Sequence, residues 1–165
     1  VGDVIVAHSV VDAGHKKVFQ GGQTRVRGAV TANAIAHTVN DMLCRHWPES
    51  KTRFGKDIEI PKKPRRPKAH TGTVLSLPTL IDDEETASAF IRENEARKPI
   101  GGDMELYQVA AAADAALVRW LFVKAISDHA GLAGAKNKNA QPLAAAAAAD
   151  FAEWLLRQKV MDEHL

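Results

Sequence analysis

The chain has 165 residues, of which 45% are hydrophobic and 25% charged, and its formal net charge is +2. This length and apolar content are enough to bury one core, so we expect a single domain over residues 1–165. The small net charge does not favour a polyanionic partner, and the single cysteine, Cys44, excludes an intramolecular disulfide. Without a long apolar run or a leader-like start, we expect no membrane insertion and a cytoplasmic location.

The first predicted elements are a strand and a helix. Val4–Ala7 is an apolar run typical of a strand with neighbours on each side. A helix is predicted after Thr31 as N-cap, ending near Trp47 and Pro48. Its apolar positions fall on one helical face: Ile35, Val39, Met42 and Leu43.

Residues 61–70 are predicted to form a basic, proline-rich loop, because Pro61–Lys68 alternates prolines with lysines and arginines. Such a stretch could contact phosphate or RNA, and steep salt dependence would be the mark of that function. No aromatic residue is interleaved and the prolines block regular structure, so a solvated loop is the better interpretation. Nucleic acid is therefore not an expected partner.

Two further helices are predicted from charge and periodicity. One follows the acidic run Asp82–Glu85, with Arg92, Arg97 and Lys98 at its other end and Phe90 as its core contact. The last helix begins around Pro142, which the first turn tolerates. Its predicted buried side is formed by Leu143, Ala147, Phe151, Trp154 and Leu155.

The most informative segment runs from Asp103 to Asp128. Apolar positions from Leu106 follow a helical period, and Trp120–Ile126 is an apolar run long enough for a buried strand. About fourteen helical residues would travel roughly 21 Å away from Glu105, and seven strand residues roughly 23 Å back. Both carboxylates, of Glu105 and Asp128, would then meet at one sheet edge, where open α/β sheets bind ligands. The alternative is a turn aspartate and a glutamate that merely favours the helix dipole.

The segment Gly101–Ala130, "GGDMELYQVAAAADAALVRWLFVKAISDHA", resembles the nucleoside phosphorylase and nucleosidase superfamily, whose members carry a Met-Glu pair opening a helix and an Ile-Ser-Asp strand end. Gly2–Val6 and Gly72–Ser76 are similar to two strands of that family. The segment that begins at Lys136 is similar to the final helix of its nucleosidase-like members. The resemblance implies a three-layer α-β-α fold with a central mixed sheet. It also implies that the chain is the C-terminal part of such a domain, with the N-terminal strands missing.

The resemblance also implies roles for individual residues. Asp128 matches the acid that protonates or hydrogen-bonds the purine at N7, with Ser127 beside it, and Glu105 matches the acceptor of the ribose hydroxyls. Met104 would lie against the ribose. A carboxyl group is ionised in water at pH 7, so Asp128 must be buried enough to hold a proton or must act by hydrogen bonding.

Two positions depart from the family pattern. Lys124 stands where an arginine is common; it keeps the charge without the planar fork, so we do not expect it to orient Asp128 equally well. Leu80 follows the strand ending at Ser76 and could pack on the purine, but it lacks an aromatic face. Both are expected to bind substrate.

The expected function is cleavage of the N-glycosidic bond of a purine nucleoside or nucleotide, by a nucleosidase or phosphorylase type of enzyme. Water is favoured over inorganic phosphate as the acceptor. We expect a homo-oligomer, in which Arg25, Val26 and Arg27 could approach the sugar from a neighbouring subunit. For the missing N-terminal strands there are two alternatives: either a larger protein has been trimmed, or another chain completes the site. The alternative is a non-catalytic nucleoside-sensing or assembly module of a larger signalling protein.

No cofactor is implied, and the histidines do not indicate a metal site. The seven histidines show no spacing typical of metal ligands. His129 is the one that could tune an acid, because it directly follows Asp128. A plain surface histidine is the simpler interpretation.

Overall fold

The computed structural model of the chain describes residues 2–14, 16–18, 24–26, 30–31, 39, 44, 46–47, 67–79, 81, 83–128 and 140–158. Most of the helix predicted after Thr31 lies outside these residues, as do Leu80 and His129. Val39 and Cys44, which fall within that prediction, are buried in the core.

The described strands form a mixed five-stranded sheet and a separate hairpin. Strands β1 (Val4–Asp12), β5 (Ala69–Ser76) and β6 (Pro99–Asp103) run parallel to one another. Strands β4 (Val30–Thr31) and β7 (Phe122–Ala125) pair antiparallel with the other edge of β1. The hairpin joins β2 (Lys16–Val18) and β3 (Thr24–Val26), which contains Arg25 and Val26.

The described helices are α1 (Glu84–Glu93), α2 (Leu106–Ala115) and α3 (Ala140–Arg157). A short 3₁₀ turn, Glu95–Arg97, follows α1. Asp83 caps α1, since its carboxylate accepts a hydrogen bond of 2.7 Å from the backbone N–H of Thr86. Among the described residues, no helix is both long enough and apolar enough to cross a bilayer.

Alternate residues of β1 face two different helical layers. Val4 and Val6 pack with Phe151 of α3, while Ile5 and Ala7 pack with Ala110 of α2. This alternation is the period of a strand covered on both faces. The predicted three-layer α-β-α architecture with a central mixed sheet is confirmed.

The predicted helical faces are largely as observed. Phe90 of α1 packs against a third cluster made by Val11, Ala13 and Leu75. In α3 the buried residues are Ala140, Ala144, Ala147, Phe151 and Leu155. Leu143 and Trp154, which were predicted on this face, are half-buried.

Helix α2 is shorter than predicted, because the chain leaves it at Leu117. Leu117 has a left-handed backbone (φ 55°), and the N–H of Val118 reaches back to the carbonyl of Ala113 over 2.9 Å. This is the Schellman helix ending, which ordinarily uses glycine at the left-handed position. With no glycine there, the sequence carried no stop signal. Strand β7 (Phe122–Ala125) is also shorter than the predicted Trp120–Ile126.

The predicted loop over residues 61–70 also ends earlier than expected. Ala69 and His70 are the first residues of β5, and Pro67 and Lys68 precede it. The backbone N–H of Lys68 donates to the Asp3 carboxylate over 3.0 Å, which ties this segment to the start of β1. Residues 61–66 lie outside the described part of the chain.

Phe151 anchors α3 to the sheet, and its loss should destabilise the fold. The residue is fully buried, and its ring centroid lies 5.2 Å from that of Trp47. Truncating such a phenylalanine leaves a cavity, so we expect Phe151→Ala to lower the free energy of unfolding by about 3–5 kcal/mol. Urea denaturation measures this loss.

Leu156→Ala on the same helix is the matched control, because the Leu156 side chain is 64% exposed. We expect the control to change the free energy of unfolding by at most about 0.5 kcal/mol. Equal losses in the two variants would show that α3 does not pack on the sheet through Phe151.

Candidate functional site

The three parallel strands end on polar residues that lie side by side. Asp12 of β1 is in register with Ser76 of β5, and Ser76 is in register with Asp103 of β6. Asp12 and Ser76 are buried, with relative exposures of 5% and 1%. Buried polar groups require hydrogen-bond partners, so this edge of the sheet must be internally bonded.

The Asp103 carboxylate caps helix α2. Its Oδ1 accepts hydrogen bonds from the backbone N–H groups of Glu105 and Leu106, each 2.7 Å long. Its Oδ2 accepts a hydrogen bond from the ammonium group of Lys124, and the Asp103 side chain is 8% exposed. Asp103 thus satisfies backbone donors that the first helical turn cannot satisfy internally.

Burial and hydrogen bonding act on the pKa of Asp103 in opposite directions. Burial raises the pKa, whereas the hydrogen bond from Lys124, those from Glu105 and Leu106, and the Lys124 charge all lower it. The result is a pKa below the ordinary value of 3.8. Asp103 is therefore an ionised, anchored carboxylate.

Lys124 has a different partner from the one considered in the sequence. The sequence places Lys124 among the expected substrate-binding residues, near Asp128. In the structure its ammonium group pairs with Asp103. The Lys124 side chain is 42% exposed, so one side of it still faces solvent. This ion pair joins strand β7 to the start of helix α2.

Helix α2 and strand β7 follow one another as predicted, but β7 does not return the chain to the predicted sheet edge. Strand β7 runs antiparallel to β1, so Ile126 lies beside the start of β1 and exchanges backbone hydrogen bonds with Gly2 and Asp3 of 2.7 and 2.8 Å. Asp128 therefore follows the end of β7 that lies beside the start of β1, whereas Asp103 ends β6 beside the end of β5. The expectation that both acids follow carboxyl ends of parallel strands is wrong.

Strand β6 and the paired strands β1 and β7 come together because the sheet curls. A Cβ atom added to Gly101 of β6 would lie 2.6 Å from Cδ1 of Ile5 on β1, although β5 separates these strands. Ile5 is paired with Lys124, which reaches Asp103 two residues beyond Gly101. The contact is thus made on the face of the sheet that α2 covers.

The remaining candidate residues lie at the surface of this region. Met104 is 39% exposed and Glu105 is also exposed, at the N-cap position of α2. The hydroxyl of the half-buried Ser127 donates a hydrogen bond of 2.9 Å to Oδ2 of the exposed Asp128. Both predicted site carboxylates are open to solvent, unlike that of Asp103.

Sequence reasoning missed one residue at this site. Ser76 was considered only as the end of a strand, but its Oγ accepts a hydrogen bond of 3.0 Å from the backbone N–H of Tyr107 in α2. No local pattern links Ser76 with a helix that starts thirty-odd residues later. For Asp103 a signal was present, because an aspartate just before a helix is a typical cap.

The fold and this site define a class of protein. The chain belongs to the phosphorylase superfamily, since the model of that family matches residues 1–157. Among curated proteins, no match was found.

Solved structures with the same fold come from several bacteria. The chain is similar to S-adenosylhomocysteine nucleosidase of Streptococcus pyogenes in complex with 5-methylthiotubericidin (TM-score 0.64, 16% identity, 100% of this chain and 61% of that one). It is also similar to the 5′-methylthioadenosine/S-adenosylhomocysteine nucleosidase of Colwellia psychrerythraea in complex with adenine (0.60, 17%, 94% and 58%). A third similar structure is the corresponding Neisseria meningitidis enzyme with methylthio-immucillin-A (0.60, 13%, 91% and 58%). The chain therefore spans about three fifths of the length of these proteins.

The depressed pKa of Asp103 predicts an acid-dependent loss of stability. Because ionised Asp103 is bound more strongly in the folded state, its contribution is complete above about pH 5 and is lost as the pH falls below its folded-state pKa. That value lies below 3.8. We expect the stability advantage of the wild type over Asp103→Asn, measured by urea unfolding at several pH values, to be largest near neutrality and to shrink in acid.

Asp83→Asn is the comparison for this measurement, since Asp83 is an exposed cap of α1 and asparagine caps helices about equally well. Hydrogen bonds with Thr86 also lower the pKa of Asp83, so this variant should show the same direction of pH dependence, but a smaller change because solvent screens the exposed carboxylate. If the wild type exceeds Asp103→Asn in free energy of unfolding by the same amount at neutral and acid pH, the assigned ion pair is contradicted.

Proposed function

We propose that the protein cleaves the N-glycosidic bond of a purine nucleoside or nucleotide by hydrolysis. The observation that carries this proposal is the Lys124–Asp103 contact, which joins the turn bearing Met104 and Glu105 to the strand that leads to Asp128. Membership of the phosphorylase superfamily and the adenine and nucleoside analogues bound by the similar structures support it.

In the proposed reaction the bond between the anomeric carbon and N9 breaks, and its electron pair passes to the purine. A proton shared between N7 of the purine and the Asp128 carboxyl group neutralises the departing base, which lowers the barrier to its departure. Water then adds to the anomeric carbon and releases a proton, so that free purine and free sugar are the products. Ser127 supports this role, because its hydroxyl bonds Oδ2 of Asp128 and leaves the other carboxyl oxygen available.

Glu105 is proposed to accept hydrogen bonds from the ribose hydroxyls. Its carboxylate is exposed at the start of α2 and makes no capping hydrogen bond. A negative charge beneath the sugar also favours the positive charge that develops on the ribose in the transition state. Met104 is proposed to lie against the sugar and Leu80 against the base.

Lys124 is proposed to affect substrate binding by holding the Met104–Glu105 turn in place. Its ammonium group anchors Asp103, and Asp103 in turn binds the backbone N–H of Glu105. The half-exposed remainder of the Lys124 side chain leaves room for a contact with the sugar.

The proposed active form is a homo-oligomer in which a segment of another chain completes the pocket. We expect light scattering coupled to gel filtration to give a mass of at least two copies. A monomer that releases purine at full rate would contradict it.

The reaction is tested by incubating the protein with adenosine, 5′-methylthioadenosine or adenosine monophosphate and measuring free adenine by chromatography. We expect release without added phosphate, with free reducing sugar as the second product. Asp128→Asn should lower the rate by about 100-fold or more, because it removes the general acid.

Asp83→Asn is again the matched acid-to-amide control, and it should release adenine at the wild-type rate. Equal turnover in Asp128→Asn and wild type would refute the assigned acid. A strict requirement for phosphate would refute hydrolysis, and binding without release would refute an enzyme of this type.

A further inference from the structure

The first turn of helix α2 obtains its hydrogen-bond acceptors from outside the helix. An α-helix leaves its first backbone N–H groups without partners inside the helix. Here the N–H of Leu106 donates to Asp103, and the N–H of Tyr107 donates to Oγ of Ser76 over 3.0 Å. Ser76 belongs to strand β5, so a distant part of the chain caps this helix.

Glu105 occupies the position whose side chain would ordinarily serve as the cap. The N-cap side chain usually accepts a hydrogen bond from the second or third helical residue, and Tyr107 is the second. The Glu105 side chain makes no such bond and is exposed. Ser76 therefore supplies the acceptor that the Glu105 carboxylate would otherwise provide.

We propose that Ser76 is a positioning residue that keeps the Glu105 carboxylate out of the helix cap and available to the ribose hydroxyls. This inference rests on the proposed function, in which Glu105 binds the ribose. Ser76 would affect the site through its hydrogen bond with Tyr107 and not through a contact with substrate.

The position of the Ser76 hydroxyl is fixed by the sheet. Ser76 is 1% exposed, and its carbonyl accepts a hydrogen bond of 2.9 Å from the N–H of Ala13. The next residue, Leu77, donates its N–H to the carbonyl of Asp103 over 2.8 Å. Because these bonds lock the end of β5 between β1 and β6, the hydroxyl cannot follow the helix if the helix moves.

Removing the hydroxyl leaves the N–H of Tyr107 without its acceptor. Leaving a partly buried donor unpaired is costly. A nearby acceptor that can rotate is therefore drawn to it. The Glu105 carboxylate is placed to do this, because it stands two residues before Tyr107 at the N-cap. Once it caps the helix, it is lost to the ribose.

The decisive experiment compares the value of kcat/KM for adenosine with the values for 2′-deoxyadenosine and 3′-deoxyadenosine. In the wild type, we expect the ribonucleoside to be preferred because Glu105 accepts hydrogen bonds from the hydroxyls. In Ser76→Ala, we expect that preference to fall by about 10-fold or more, the size of a lost hydrogen bond to a charged group. Activity on the deoxynucleosides should fall much less.

A double-mutant cycle separates positioning from a general loss of structure. If Ser76 acts through Glu105, then Ser76→Ala should change the preference little when it is added to Glu105→Gln. Independent, additive effects of the two substitutions on the preference would overturn the inference. So would an equal loss of activity on the ribonucleoside and both deoxynucleosides.

Ser9→Ala is the matched control. The Ser9 hydroxyl makes a hydrogen bond of 2.8 Å with the hydroxyl of Thr73, three residues before Ser76 on the same pair of strands. Ser9→Ala should lower stability in urea without changing the preference for the ribonucleoside. Ser76→Cys, which has nearly the same shape but a weak acceptor, should repeat the Ser76→Ala result if the alanine variant does not fold.

Failure of this inference can be told apart from failure of the proposed function. If the wild-type protein releases no purine, the proposed function fails. Calorimetric binding of the same nucleosides then tests Ser76 directly: a selective loss of ribonucleoside affinity in Ser76→Ala supports its positioning role, and an equal loss for all three overturns it.

Discussion

The ionised carboxylate of Asp103 holds the site together. It is almost fully buried and binds two backbone N–H groups of the α2 start and the ammonium group of Lys124. A buried charge is tolerated only when it is paired and hydrogen-bonded, so these three contacts form or fail together. The direction of α2, the placement of the Met104–Glu105 turn and the docking of β7 all depend on them.

The geometry of the sheet makes that contact possible. Strands in a sheet twist relative to their neighbours. Here Gly101 of β6 approaches Ile5 of β1, although β5 separates the two strands. Gly101 has no side chain, and Ile5 fills the space that a Cβ there would occupy. Lys124, whose stem is long and flexible, spans the remaining gap. A small residue, a bulky apolar residue and a long cation are therefore needed at these three positions.

The acidic residues of the region have separate physical roles. Asp103 is committed to structure, since its oxygens are taken up by donors from the chain itself. Glu105 and Asp128 are exposed, and their oxygens face solvent, apart from the bond that Ser127 makes. Because Asp103 and Ser76 cap the helix, the carboxylate of Glu105 is not needed for capping. The proposed binding of a sugar and a base would use these uncommitted acceptors, which lie beside an anchored turn.

The sequence by itself determined the buried face of α3, the strand character of β1 and the order of helix α2 and strand β7. These features follow from periodicity and local residue chemistry, which report burial and element type. The layers of the fold and strand β5 were implied by the resemblance to the superfamily. Only the tertiary structure decided that β7 runs antiparallel to β1, that α2 ends at Leu117, that Lys124 pairs with Asp103, and that Ser76 caps α2. Strand direction and side-chain partners depend on how distant segments pack, and no local pattern along the chain records that packing.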